Sequence, residues 1–360
     1  MSFIASVGSA LPEHRYPQHE ITALFADVVL TEPSRRPLLE RLHASTTVQY
    51  RHLALPLSAY ATLDSFGTAN AHWLDVAVPL GAQAVEDALT QVGLSPQDVD
   101  VMVSTTVTGL AVPSLDARLV PALGLRDDVR RLPLFGLGCL AGAAGVGRVH
   151  DLLRGDSDGV AVLVSVELCS LTLQRGDESM ANMVGSGLFG DGAAAVVMVG
   201  DRRAQAMGLD RDGTDPRPSV VATRSAFYPD SERVMGWDID QRGFSLVLDA
   251  TVPEMVERHL RTGIDRLLAE HDLHTKDVEH WIAHPGGPKV LEAMARTLDV
   301  DPSAFALTWE SLASVGNLSS SSVLRVLGET MRRRPGGTGV PAVMTAMGPG
   351  FCSELVLLRW

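Results

Sequence analysis

A weak internal repeat constrains this chain more than any other feature. The stretch Ala88-Leu-Thr-Gln-Val-Gly-Leu-Ser-Pro-Gln-Asp-Val-Asp100 reads as a helix end, a turn and a strand entry. The same sense returns in Leu267-Leu-Ala-Glu-His-Asp-Leu-His-Thr-Lys-Asp-Val-Glu279. At an offset of 179, Leu89, Leu94, Asp98 and Val99 fall on Leu268, Leu273, Asp277 and Val278. At an offset of 178, Gly138-Cys139-Leu140 falls on Gly316-Asn317-Leu318, each opening a run of small residues before a helix. The expected architecture is two copies of one unit, covering 1–207 and 208–360. The polar stretch Gly208–Ser219 is the expected connector. Duplication would bring equivalent helix starts together about a pseudo-twofold axis, placing Cys139 and Asn317 near one another with His284 between them.

Short apolar runs alternate with helical stretches throughout. Val99–Val107, Val160–Val166, Ala193–Val199 and Val343–Thr345 are Val-rich and bounded by Gly, Asp or Ser, as buried strands are. Val78–Val92 and Val252–His271 carry apolar residues at helical spacing. Together these predict an α/β fold with helices covering sheets. Hydrophobic residues at 46% and charged residues at 20% suit a large core and exclude a disordered or fibrous chain. A net charge of −13 argues against wholesale nucleic-acid binding, which depends on neutralising phosphates. Of the 30 basic residues only Lys276 and Lys289 are lysines, so an anionic ligand would need a local basic patch. Cys139, Cys169 and Cys352 are too few and too far apart for a disulfide framework or a metal ligand set. The first residues lack the basic and apolar regions of a signal peptide, and no apolar run is long enough to span a bilayer. A cytoplasmic chain with reduced thiols is expected.

Three positions carry candidate chemistry. Cys139 lies in Leu134-Phe-Gly-Leu-Gly-Cys-Leu-Ala-Gly-Ala-Ala-Gly145, a glycine-rich turn leading into a small-residue helix. A cysteine at a helix start is expected to have a lowered pKa and to face amides able to stabilise an anion. The plain alternative is a small buried thiol in a tightly packed helix. His284 ends an apolar run and precedes Pro285-Gly-Gly-Pro288, a turn that would open it to a cavity, where it can pair a thiolate or donate to an oxyanion. Asn317 is either a helix N-cap or an uncharged amide donor to a carbonyl oxygen. The other histidines, His14, His19, His271 and His274 among them, read as solvated surface.

With those residues in view, the chain resembles type III polyketide synthases, the chalcone-synthase-like branch of the thiolase-fold condensing enzymes. The resemblance covers nearly the full length. It rests on Gly138-Cys139, Leu188-Phe-Gly-Asp-Gly192, His284-Pro-Gly-Gly-Pro288, Gly316-Asn317-Leu-Ser319 and Gly348-Pro-Gly350. It implies a layered αβαβα thiolase-like fold built from two duplicated halves, and acyltransferase activity on CoA thioesters with no cofactor and no metal. Carried over by motif, Cys139 would be the nucleophile, His284 and Asn317 the residues that decarboxylate malonyl-CoA and stabilise the enolate, and Phe189 the gate of the CoA tunnel. Gly348, Pro349 and Gly350 would line the cyclisation pocket. Met347 departs from the aromatic common in plant members, which leaves that wall's shape open. The related carrier-protein-dependent ketosynthases are the rival. Initiating fatty-acid ketosynthases usually follow the His with Gln-Ala-Asn, where this chain has Pro285-Gly-Gly. A non-catalytic scaffold is a third class, opposed by the intact Cys, His and Asn.

Met235-Gly-Trp237 through Gly243-Phe244 resembles the bacterial subgroup that makes alkylpyrones and alkylresorcinols from fatty acyl starters. That implies decarboxylative condensation of malonyl-CoA onto a fatty acyl-CoA. The alternative is a small aromatic made from malonyl-CoA only. Leu173, Val112 and Leu246 stand where the resemblance implies apolar cavity wall, and Trp237 matches a small lining position of plant enzymes. Ser319 and Thr108 would either supply polar contacts or cap elements at the surface. Arg51, in Gln49-Tyr-Arg-His-Leu53, resembles the family's basic segment at the tunnel mouth and is expected, with Lys289, to bind CoA phosphates. A homodimer is the expected assembly.

Overall fold

The computed structural model describes residues 1–210, 213, 215–333, 337 and 339–360. Its strands are β1 (Ser2–Ala10), β2 (His14–Pro17), β3 (Tyr50–Leu53), β4 (Val101–Thr106), β5 (Arg130–Phe135), β6 (Val160–Leu168), β7 (Asp191–Gly200), β8 (Ser219–Phe227), β9 (Met235–Asp240), β10 (Gly243–Leu248), β11 (His280–Ala283), β12 (Pro341–Gly348) and β13 (Cys352–Arg359). The helices are α1 (Gln18–Val29), α2 (Arg36–Ser45), α3 (Phe66–Gln91), α4 (Leu115–Leu123), α5 (Ala141–Arg154), α6 (Met180–Leu188), α7 (Asp201–Ala206), α8 (Val252–Ala269), α9 (Pro288–Leu298), α10 (Ala306–Val315) and α11 (Ser320–Arg333).

The duplication is visible in strand order. The first half runs β4-β6-β7-β1 and the second β11-β12-β13-β8. In both, the first pair is parallel and the next two are antiparallel. Within the sheet the halves join where β1 meets β8, pairing Ser2 with Val220 and Phe3 with Ser219. Away from that seam the sheets diverge, and α5 and α11 pack between them in a core shared by strands of both halves. Separate cores cover the outer faces, one built with α1, α3 and α4, the other with α8, α9 and α10. The result is the layered α/β architecture expected of a thiolase-like fold. Strands β6 and β7 lie in the middle and are buried at every residue, which accounts for their continuous apolar sequence.

Local chemistry explains the repeat. Asp98 caps the short turn Pro96–Asp98 by accepting from Ser95 N, and Asp277 does the same for Thr275–Asp277 by accepting from His274 N. The two turns and the strands after them begin 179 residues apart, and so do α5 and α11. Cys139 and Asn317, at an offset of 178, are therefore one residue out of strict equivalence. The Ala/Gly tract of α5 has a packing reason, since a Cβ on Gly142 would come within 2.3 Å of Ser320 O on α11.

Two local expectations change. Helix α3 starts at Phe66 and passes through Pro79, well ahead of the periodic stretch seen from Val78. The connector between α7 and β8 includes Arg211, Asp212 and Thr214, which lie outside the described residues.

Candidate active site

Cys139, His284, Asn317 and Phe189 line one cavity of about 380 Å3. Cys139 sits in a single tight turn, Gly138–Leu140, between β5 and α5. Gly138 has φ 55°, and a Cβ there would meet Pro349 at 2.7 Å, so the Gly348-Pro-Gly350 loop rests directly on the turn that holds Cys139. His284 follows β11 and extends its pairing, donating its backbone N–H to Thr345 O at 2.9 Å. Asn317 leads into α11; its Oδ1 accepts from Ser319 N at 2.8 Å. That local turn commits the oxygen and leaves the Nδ2 donor for a ligand. The bond falls on Ser319, one residue ahead of α11, so the side chain closes the turn before the helix and does not cap it. Ser319, held at φ 49°, brings its Oγ to 3.7 Å from Cys139 Sγ.

Burial sets the protonation states. Desolvation pushes the Cys139 thiol up to about 12, with the nearby Glu167 carboxyl acting in the same direction. The thiol therefore stands above its ordinary range, opposite to the lowering expected of a helix start, and burial is the main cause. Burial alone pulls the His284 imidazole down to about 3, and neither ring nitrogen has a hydrogen-bond partner among the described residues. Thiol and imidazole are both neutral at rest.

Behind this wall lies a buried acid that sequence inspection passed over. Glu167, on β6, accepts from Val107 N and Thr108 Oγ1 at 3.0 Å and from Ser320 Oγ. Desolvation raises it to about 7. A second, Asp191, accepts from Ala54 N and from the backbone and hydroxyl of Ser170, and burial raises it to about 6. The available signal was an acid inside an otherwise apolar run, since a fully buried carboxyl demands a specific network. His43 was likewise read as surface, but is enclosed between Thr22 and Ser186 and pulled down to about 3 by burial.

The remaining expected positions divide. Trp237, Leu246, Ser319, Pro349 and Lys289 line the cavity, as does Cys169. Gly348 and Gly350 do not; only the proline between them reaches it. Leu173 faces two smaller neighbouring cavities instead. Val112 is 97% exposed in the loop ahead of α4 and does not line this chain's cavity. Thr108 is committed to Glu167. Arg51 is the clearest correction: it is 1% exposed, with its guanidinium turned inward to Gln18 Oε1 and Phe189 O, and so cannot meet CoA phosphates at a mouth. Among the described residues no group of His, Cys, Asp or Glu is arranged to hold a metal ion, and no helix is long and apolar enough to cross a membrane.

A cysteine, a histidine and an asparagine converging between duplicated α/β halves define a condensing enzyme of the thiolase-like fold. The chain belongs to the chalcone and stilbene synthases: the family's N-terminal domain matches residues 1–202 and its C-terminal domain residues 219–360. It is a type III polyketide synthase, an enzyme of the acyltransferase type. It is 51% identical to the 1,3,6,8-tetrahydroxynaphthalene synthase of Streptomyces peucetius subsp. caesius, over 99% of this chain and 93% of that protein. A 3,5-dihydroxyphenylacetyl-CoA synthase of Streptomyces toyocaensis is 31% identical over 99% of this chain and 90% of its own length. The crystal structure of the tetrahydroxynaphthalene synthase of Streptomyces coelicolor A3(2), a bacterial type III polyketide synthase, superimposes with a TM-score of 0.91 at 29% identity, covering 99% of both chains.

Proposed function

We propose that the protein condenses malonyl-CoA by decarboxylation, takes malonyl-CoA as starter as well as extender, and closes the chain into a small polyhydroxylated aromatic. The observation that carries the reaction is the convergence of Cys139, neutral His284 and the free Nδ2 of Asn317 on one cavity wall. Cys139 Sγ attacks the starter thioester while its proton passes to His284 and on to the departing CoA thiolate, leaving an acyl-enzyme. Asn317 and His284 then donate to the thioester carbonyl of a second malonyl-CoA. Loss of CO2 leaves an enolate whose carbon attacks the acyl-enzyme carbonyl and frees the Cys139 sulfur. A neutral imidazole can donate without surrendering its proton to the enolate, and Phe189 helps keep water from it.

The relatives and Trp237 support this choice of starter. A naphthalene product carries no alkyl tail, so the 51% identical relative favours short units over the fatty acyl starter expected from the sequence. Trp237 is pinned opposite Leu246 in the β9–β10 hairpin and packs edge-to-face on Phe244 at 6.0 Å, which supports a closed wall rather than a channel for a long chain. With Arg51 turned inward, phosphate binding rests on Lys289, joined by Arg41, which shares a face of α2 with the cavity-lining Ser45. A cytoplasmic homodimer completes the reading. The edge strand β5 leaves Leu132 and Phe135 37% and 48% exposed, as a strand covered by a second copy would.

The test is incubation with malonyl-CoA alone and with acyl-CoAs of graded length, the products read by mass spectrometry. An aromatic polyketide from malonyl-CoA alone is expected. Pyrones or resorcinols formed only with long acyl-CoAs would restore the fatty acyl starter, and a single condensation from carrier-protein substrates would refute both.

A further inference from the structure

We propose that Arg51 and Gln18 form a positioning clamp that holds the Phe189 gate and Asn317 in register for decarboxylation. The inference rests on the role given above to Asn317. Helix α6 ends at Leu188 and Phe189 continues in extended form, so the carbonyls around this helix end are offered to two different neighbours. On one side, Leu188 O accepts from Asn317 N and Gly190 N donates to Asn317 O, both at 2.9 Å, in a short parallel bridge between Phe189 and Asn317. On the other side, Gly187 O accepts from Gln18 Nε2 and Phe189 O from Arg51 Nη1, both at 2.7 Å. Arg51 Nε donates to Gln18 Oε1 at 2.9 Å, which couples the two outer contacts.

Arg51 also reaches the Asn317 strand itself. A Cβ on Gly316 would meet the Arg51 stem at 3.3 Å, so the side chain packs against the residue preceding Asn317. Its charge lies near the buried Asp191 carboxyl, which favours keeping the guanidinium protonated against the cost of burial. The Phe189 ring and the Asn317 amide are thus set by one backbone bridge, and that bridge is held from behind by a buried, charge-assisted fork. Cys139 lies on a different turn and is not held by it.

Arg51→Lys keeps the charge opposite Asp191 but cannot make both bonds. The expected result is a fall of about 10- to 100-fold in kcat for malonyl-CoA turnover, the scale of a sub-ångström to 1 Å misplacement, with KM changed less than about twofold. The rate at which iodoacetamide labels Cys139 should stay at the wild-type value. In an Asn317→Ala background, Arg51→Lys should cost clearly less than in the wild type, because the part of its effect that runs through Asn317 is already lost. Wild-type kcat in a folded Arg51→Lys protein, or the same fold-loss with and without Asn317, overturns the clamp. If Arg51→Lys does not fold, Gln18→Leu serves, since it leaves the Arg51 bond to Phe189 in place; a kcat loss of a few-fold supports the clamp and a wild-type kcat overturns it. Wild-type decarboxylation in Asn317→Ala would overturn both readings, whereas an inactive Asn317→Ala beside a fully active Arg51→Lys overturns the clamp alone.

Discussion

The two helix starts at the site, Cys139 ahead of α5 and Asn317 ahead of α11, are near-equivalents in a duplicated frame and have opposite chemistry. The first is apolar and tight, with Gly138 against Pro349 and Gly142 against the backbone of α11. The second is polar, with Asn317 bonded to Ser319 and Ser320 bound to Glu167. The strands show the same division. Strand β6 carries Glu167 inside an apolar sequence, while its counterpart β12 carries no charged residue, and His284 follows β11 where Val107 follows β4. Duplication supplies two similar frames, and a site arises at their junction because each half keeps a different share of the chemistry.

Separating those shares should give the largest effect. Cys139→Ala is expected to abolish polyketide formation while malonyl-CoA is still decarboxylated. Asn317→Ala should retain alkylation of Cys139 but lose about 100- to 1,000-fold in decarboxylation, the scale for removing one oxyanion donor. Released CO2 and mass-spectrometric products measure both, and an identical profile for the two variants would break the division of labour.

A smaller effect tests the buried acid of the first half. Burial raises the Glu167 carboxyl from its ordinary 4.5 to about 7 in the folded chain. Its folded-state pKa is raised, so its contribution to stability is complete below pH 4.5 and is lost as pH rises through about 7. Glu167→Gln lacks that loss. Its melting temperature relative to wild type should therefore rise across this window, and a difference independent of pH would refute the assignment.

The smallest effect is expected at the rim. Lys289→Ala should raise KM for malonyl-CoA by about two- to fivefold, with the penalty shrinking at high salt as exposed charges are screened. A salt-independent change would place Lys289 in cavity shape rather than phosphate attraction.

Legibility followed locality. The glycine turn at Cys139, the Pro-Gly-Gly turn after His284 and the small-residue run after Asn317 could all be read because each is a local backbone requirement written in neighbouring residues. The strands could be read because β6 and β7 are buried on both faces. Arg51 misled because a cation beside a basic-looking segment carries no sign of which way its side chain turns; only packing against Gly316, Gln18 and Phe189 turned it inward. Val112 is the converse case: an apolar side chain in sequence is no sign of burial, and this one stands 97% exposed ahead of α4. Glu167, Asp191 and His43 could not be assigned because their partners lie between 21 and 153 residues away.

By itself the sequence determined the duplicated α/β frame and the residues that bear chemistry, because periodicity, capping and glycine turns act over a few neighbouring residues. The tertiary structure alone decided that thiol and imidazole rest neutral, that Arg51 serves the interior and that Trp237 forms part of the cavity wall. Desolvation and contact depend on what the distant half of the chain brings to the same place.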